Sequence, residues 1–141
     1  MLKFIRLLIL VLAFVTIYAL PASAQTGTKA VKFYIYLDGN NNGVLDYIGY
    51  DYCIGGNTLT AYKLGTGLQP WLNISTSHAD VQITTYAGVA DCKNNSSGTY
   101  QLAVGNWQLV GGSPSHTNYF TVPTNVTTLI QPHRMTSWSG E

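Results

Sequence analysis

The chain has 141 residues, 46% of them hydrophobic and only 9% charged, with a formal net charge of +1. So near-neutral a balance leaves no basic field to hold nucleic acid or an anionic lipid surface. Glu141 is the only glutamate, and His78, His116 and His133 form no H-x-x-x-H or H-E-x-x-H arrangement, so paired-carboxylate and zinc-hydrolase chemistry lack raw material and the chain reads as a non-enzyme.

Lys3 and Arg6 precede an apolar run from Leu7 to Leu20, and Pro21-Ala22-Ser23-Ala24 then offers small residues in an A-x-A arrangement. This order predicts a secretory signal peptide over residues 1–24, because the run is shorter than the roughly 20 residues a spanning helix needs. Residues 25–141 are then a single secreted domain, found outside the cell or on its surface and free of the membrane once cleaved.

Val31, Phe33, Ile35 and Leu37 alternate with Lys32, Tyr34 and Tyr36, which predicts a first strand with one apolar face. Asp38-Gly39-Asn40-Asn41-Asn42-Gly43-Val44-Leu45-Asp46 follows directly. Calcium takes six to eight hard oxygen ligands, and a loop with oxygens at alternate positions turns Asp38, Asn40 and Asn42 toward one centre. Gly43 supplies the sharp turn, the Val44 carbonyl faces the same centre, and Asp46 ligates directly or through water. Helix-flanked calcium loops end on a glutamate at position twelve. Here that position is Gly49, so Asp51 is the candidate closing ligand of a Ca2+ loop spanning 38–51. An Asn/Gly-rich turn between strands is the plainer alternative.

Export makes a disulfide between Cys53 and Cys92 the default for this pair. Between them lie expected strands at Thr58 to Tyr62, Trp71 to Ser75, and Val81 to Ala87, and after them an Asn94-Asn95-Ser96-Ser97-Gly98 loop. Tyr100, Leu102 and Val104 alternate up to Gly105-Asn106, and Trp107, Leu109 and Gly111 alternate away, which predicts a hairpin with a two-residue turn. Gly112-Ser113-Pro114-Ser115 closes that pair as a loop. A last hairpin is expected between Tyr119 to Val122 and Val126 to Ile130, broken by Pro123-Thr124-Asn125. Every periodic segment has period two, so the fold class is all-β: a two-sheet antiparallel β-sandwich of seven or eight strands, in the broad immunoglobulin-like style.

Three stretches carry a family resemblance. Ile35 to Asp46 looks like the strand and calcium loop of the B-type domains of Gram-positive surface adhesins, and Gly55 to Tyr62 looks like the strand that follows it. Gly98-Thr99-Tyr100-Gln101-Leu102 with Gly105-Asn106-Trp107-Gln108-Leu109 is similar to their G-x-Y hairpin. The resemblance, to serine-aspartate repeat B-like and collagen-adhesin B-type modules, implies a prealbumin-like sandwich serving as a calcium-stiffened spacer or adhesive module.

Ten tyrosines and three tryptophans are many for this length. Tyr34, Tyr36, Tyr62 and Tyr86 alternate with apolar positions and form a candidate ligand face, on which rings would stack against sugars or a partner. The expected partners are an extracellular protein or polysaccharide. Alongside the calcium-stabilised surface module stand two alternatives: a carbohydrate-binding module using that tyrosine face, and a filament subunit that self-assembles through its sheet edges.

Overall fold

A computed structural model of the chain describes residues 27–48, 50–65, 68–72, 80–87 and 90–139. The expected signal peptide lies outside the described residues, as does the strand expected at 71–75 beyond Leu72. Among the described residues the chain is all-β, with eight strands in two four-stranded sheets packed as a sandwich.

The first sheet is organised by β1 (Thr28–Leu37). Its alternation sends Val31, Phe33 and Ile35 into the core, each fully buried. Along one edge β1 pairs in parallel with β8 (Thr128–Met135), from Ala30 opposite Thr128 to Leu37 opposite Met135. Along the other edge two short antiparallel strands share it: β5 (Tyr100–Ala103) beside its first half and β2 (Tyr52–Ile54) beside its last residues. Ser97 fills the gap between them. The Phe33 amide donates to Ser97 Oγ at 2.9 Å and the Ser97 amide donates to the Phe33 carbonyl at 2.8 Å, so the backbone of a buried residue is satisfied without a strand partner.

The second sheet runs β4 (Val81–Thr84), β3 (Thr58–Lys63), β6 (Gly105–Gly111), β7 (His116–Val122), antiparallel throughout. Its inner face meets that of the first sheet through Leu59, Ala61, Ile83, Trp107, Leu109, Phe120 and Val122. Phe33 lies edge-on to Phe120 with ring centroids 5.8 Å apart. The Trp107 indole donates to the Ala103 carbonyl at 2.9 Å, so the largest core side chain leaves no buried donor unpaired. Each such fully buried apolar side chain contributes on the order of 1.5–3 kcal/mol.

Two expected hairpins prove to be crossings between the sheets. Tyr100–Ala103 belongs to the first sheet and Gly105–Gly111 to the second, so Gly105-Asn106 is the switch between layers and not a hairpin turn. Period-two alternation is the same on either side of a turn or a crossing. Gly105 has φ of +131°, and a Cβ there would stand 2.7 Å from Lys63 Nζ. Likewise β7 and β8 part at Pro123-Thr124-Asn125, and β8 runs beside β1 as an edge strand. Its Pro132, which lacks an N–H, is tolerated in such a position. The hairpin that does form joins β6 and β7 through residues 112–115.

His133, on β8, is fully buried. Its Nε2–H donates to the Gly111 carbonyl at 3.1 Å, and its Nδ1 accepts from Asn118 Nδ2 at 2.9 Å. Asn118 Nδ2 also donates to the Arg134 carbonyl at 3.1 Å, so the amide cannot turn its oxygen toward the ring without losing that bond. Burial pushes the His133 pKa below its usual value of 6.5, the Gly111 carbonyl pulls it back, and His116 adds repulsion to the charged form. The native state therefore holds neutral imidazole, and its stability is complete above about pH 6.5 and declines as pH falls through the lowered native pKa. Thermal melts between pH 7.5 and 5 should show a falling Tm, and His133→Gln should flatten that slope.

The Cys53 and Cys92 sulfurs are joined, with Cα atoms 5.8 Å apart and a sequence separation of 39. A closed loop of this size stabilises by about 4 kcal/mol on the chain-entropy estimate. The double variant Cys53→Ala/Cys92→Ala should lose roughly 2–4 kcal/mol in urea unfolding, within the range for disulfides in small domains.

Candidate metal centre

The loop from Asp38 to Asp51 folds back over the outer face of β1. Tyr34, Tyr36, Leu45 and Cys92 form a second, smaller buried cluster there, with Cys53 packed against it. The Tyr36 hydroxyl donates to the Gly43 carbonyl at 3.1 Å, which props the loop from beneath. A second segment fastens it from the side: Lys93 Nζ donates to the Leu45 carbonyl, and the Tyr47 hydroxyl donates to Asp91 Oδ1 at 3.1 Å. Tyr47 sits at φ of +60°, a left-handed conformation unusual for an aromatic residue, and these contacts hold it there.

Within the loop the candidate side chains converge. Asp38 is 1% exposed, with Oδ1 accepting from the Asn42 amide at 3.1 Å and Oδ2 from the Gly43 amide at 2.7 Å. Asp51 is 6% exposed and spans the loop, with Oδ1 accepting from the Gly39 amide at 2.8 Å and Oδ2 from the Asp46 amide at 3.4 Å. Asp46 Oδ2 accepts from Asn42 Nδ2 at 2.6 Å and from Asn40 Nδ2 at 3.4 Å. Two glycines make this closeness possible. Gly43 has φ of +84°, and a Cβ on Gly39 would lie 2.4 Å from that of Tyr50.

Arg134 is the participant the sequence did not reveal. Its Nε donates to Asp38 Oδ2 at 2.6 Å and its Nη2 to Asn41 Oδ1, reaching the loop from β8 across 96 positions of sequence. Burial opposes the charged form of Asp38, but the guanidinium and the amides of Gly43 and Asn42 outweigh it and hold the carboxyl below the usual carboxylate range. Asp46 is lowered too, chiefly by the Ile48 amide.

The chemistry of this donor set fits a hard cation: three carboxylates, two side-chain amides with an oxygen apiece, and backbone carbonyls. Among the described residues, no group of three His, Cys, Asp or Glu side chains stands ready to hold a metal. The hydrogen bonds also place the loop's amides away from a metal-binding arrangement. Asn40 and Asn42 present nitrogen, not oxygen, to Asp46, and Asp38 is engaged by Arg134. Binding requires both amides to turn about their terminal torsions, with Asn42 Oδ1 giving up the Val44 amide that it accepts at 3.0 Å. Val44 is exposed, and Gly49 lies outside the described residues.

The expected tyrosine face does not form. Tyr34 and Tyr36 are 9% and 3% exposed because the loop and the 90–97 segment cover them. Tyr62 lies half-buried on β3 of the other sheet, and the exposed Tyr86 follows β4. Lys63 is a second residue that strand patterning did not single out: it is 4% exposed, its Nζ donates to the Leu64 carbonyl at 2.9 Å, and burial pushes its pKa down.

Comparison of the chain with family models, with curated proteins and with solved structures returns no match. The Asp38 side chain is fully buried and that of Arg134 is 33% exposed, so removing the cation strands a carboxylate away from water. Arg134→Gln should cost about 2–3 kcal/mol in urea unfolding at pH 7, less than for a fully buried pair because part of Arg134 stays in solvent.

Proposed function

We propose that this chain is a secreted, non-enzymatic β-sandwich that binds calcium in the 38–51 loop and acts as an extracellular surface, adhesion or structural module. The observation that carries the reading is the convergence of Asp38, Asn40, Asn42, Asp46 and Asp51 into one hydrogen-bonded cluster directly after the central strand. A plain turn has no need of oxygen at each of these places. Calcium would bind through their side-chain oxygens and the Val44 carbonyl, neutralise the carboxylates and stiffen the loop against β1. The disulfide supports export, since such bonds persist in oxidising compartments. The adhesin-like character follows from the same strand-and-loop order and is a proposal on that ground.

The filament alternative has less support. On the outer strand β8, Pro132 lacks the N–H that an added strand would need.

With three carboxylates in the loop the affinity should be that of extracellular modules, with a Kd of roughly 0.1–1 mM. At 10 mM calcium this predicts about 1.4–2.7 kcal/mol of added stability, read as a rise in Tm relative to chelator. Asp46→Ala and Asn42→Ala leave Asp38 and its ion pair intact and should abolish the rise. Identical melting curves with calcium and with chelator would sink the proposal.

A further inference from the structure

The outer face of the second sheet carries a groove that the calcium reading does not use. Phe120 and Val122 point inward from β7, so Tyr119 and Thr121 point outward, and Asn106 stands beside Thr121 on β6. Residues 64–65 and 68–72 lie over this face, with the Leu64 amide donating to the Asn106 carbonyl at 2.9 Å and the Gly65 amide to the Leu72 carbonyl at 2.5 Å. The fold-over is tight: a Cβ on Gly65 would lie 2.1 Å from the Gln69 carbonyl oxygen. The result is an open groove of about 390 Å³ between this segment and the two strands. Such a volume is at the small end for ligand sites.

Two features give the groove a chemistry. Trp71 is 72% exposed and Tyr119 is 69% exposed, so two large rings face solvent around it where burial would have been favourable. An uncharged polar pair also lines it: the Thr121 hydroxyl donates to Asn106 Oδ1 at 2.8 Å. That bond fixes the pair's orientation. Among the described residues Asn106 Nδ2 has no protein acceptor, so the pair offers amide donors from Asn106 beside the acceptor lone pairs of Thr121 Oγ1. Among the described residues, no charged side chain lines the groove.

We infer that this groove binds a neutral saccharide. A pyranose ring has an apolar face of C–H groups that covers an aromatic ring, and hydroxyls on its rim that both donate and accept. Exposed Trp and Tyr rings answer the first, and a donor next to an acceptor answers the second. A charged sugar, a phosphate or an acidic peptide finds no counter-charge here. A proline-rich peptide also suits aromatic grooves, but its backbone carbonyls only accept and leave Thr121 Oγ1 unmatched as an acceptor. This inference is independent of calcium, because the groove and the metal loop lie on opposite outer faces of the sandwich.

The test uses the chain without residues 1–24, in chelator, by affinity electrophoresis through gels containing neutral polysaccharides (a β-glucan, a xylan, a mannan) and by pull-down on cellulose and chitin. Retention on at least one is expected, weakened about tenfold by Trp71→Ala and by Tyr119→Ala. Both residues are exposed, so the variants should keep the native melting profile. Tyr86→Ala, which removes an exposed ring elsewhere, should leave retention unchanged. Lack of retention on every polysaccharide, retention insensitive to both ring variants, or binding of a proline-rich peptide in place of the glycans would overturn the assignment.

Discussion

The structure depends on a single strand that is buried on both faces. The inward side chains of β1 meet the second sheet, and its outward tyrosines are roofed by the 38–51 loop and the 90–97 segment. Its backbone is satisfied on one edge by a full-length parallel partner and on the other by two short strands and one serine. Both the loop and the disulfide are consequences of this arrangement. Something must cover Tyr34 and Tyr36, and the chain that does so has to be held down against the entropy it loses in ordering.

Much of this architecture was legible from period-two alternation. β1, β3, β4, β6 and β7 lie where Val31, Leu59, Ile83, Trp107 and Phe120 alternate with polar neighbours. What alternation does not encode is which sheet a strand joins. Gly105-Asn106 reads as a hairpin turn because a glycine is required there, yet the requirement comes from the approach of Lys63 and a change of layer. The parallel pairing of β8 with β1 is equally silent in sequence, being a contact between the two ends of the domain. The tyrosine face failed for a related reason. An alternating tyrosine is exposed only if no loop returns over it, and a local pattern carries no information about return paths.

For the loop, the residue types and spacing were readable, and Asp51, expected as the closing ligand, is seen to span the loop by accepting the Gly39 and Asp46 amides. Arg134 was not, because nothing at position 134 announces that β8 will place it beside Asp38. The groove on the opposite face had the same character. Trp71, Asn106, Tyr119 and Thr121 come from three separate segments, and only the fold-over after β3 brings them together.

Charge accounting links the ion pair to the proposed calcium site. Asp38, Asp46 and Asp51 bring three negative charges to the loop and Arg134 returns one positive charge, leaving a net of about minus two, which a divalent cation balances. A guanidinium already in contact with Asp38 has two opposing effects. It keeps the buried carboxylate ionised and the loop close to its bound shape, which lowers the ordering cost of capturing an ion. It also repels that ion at short range and occupies a lone pair on Oδ2, which weakens binding. On the proposed calcium reading, the balance would favour a loop folded without the ion and tightened at the millimolar concentrations typical of extracellular modules.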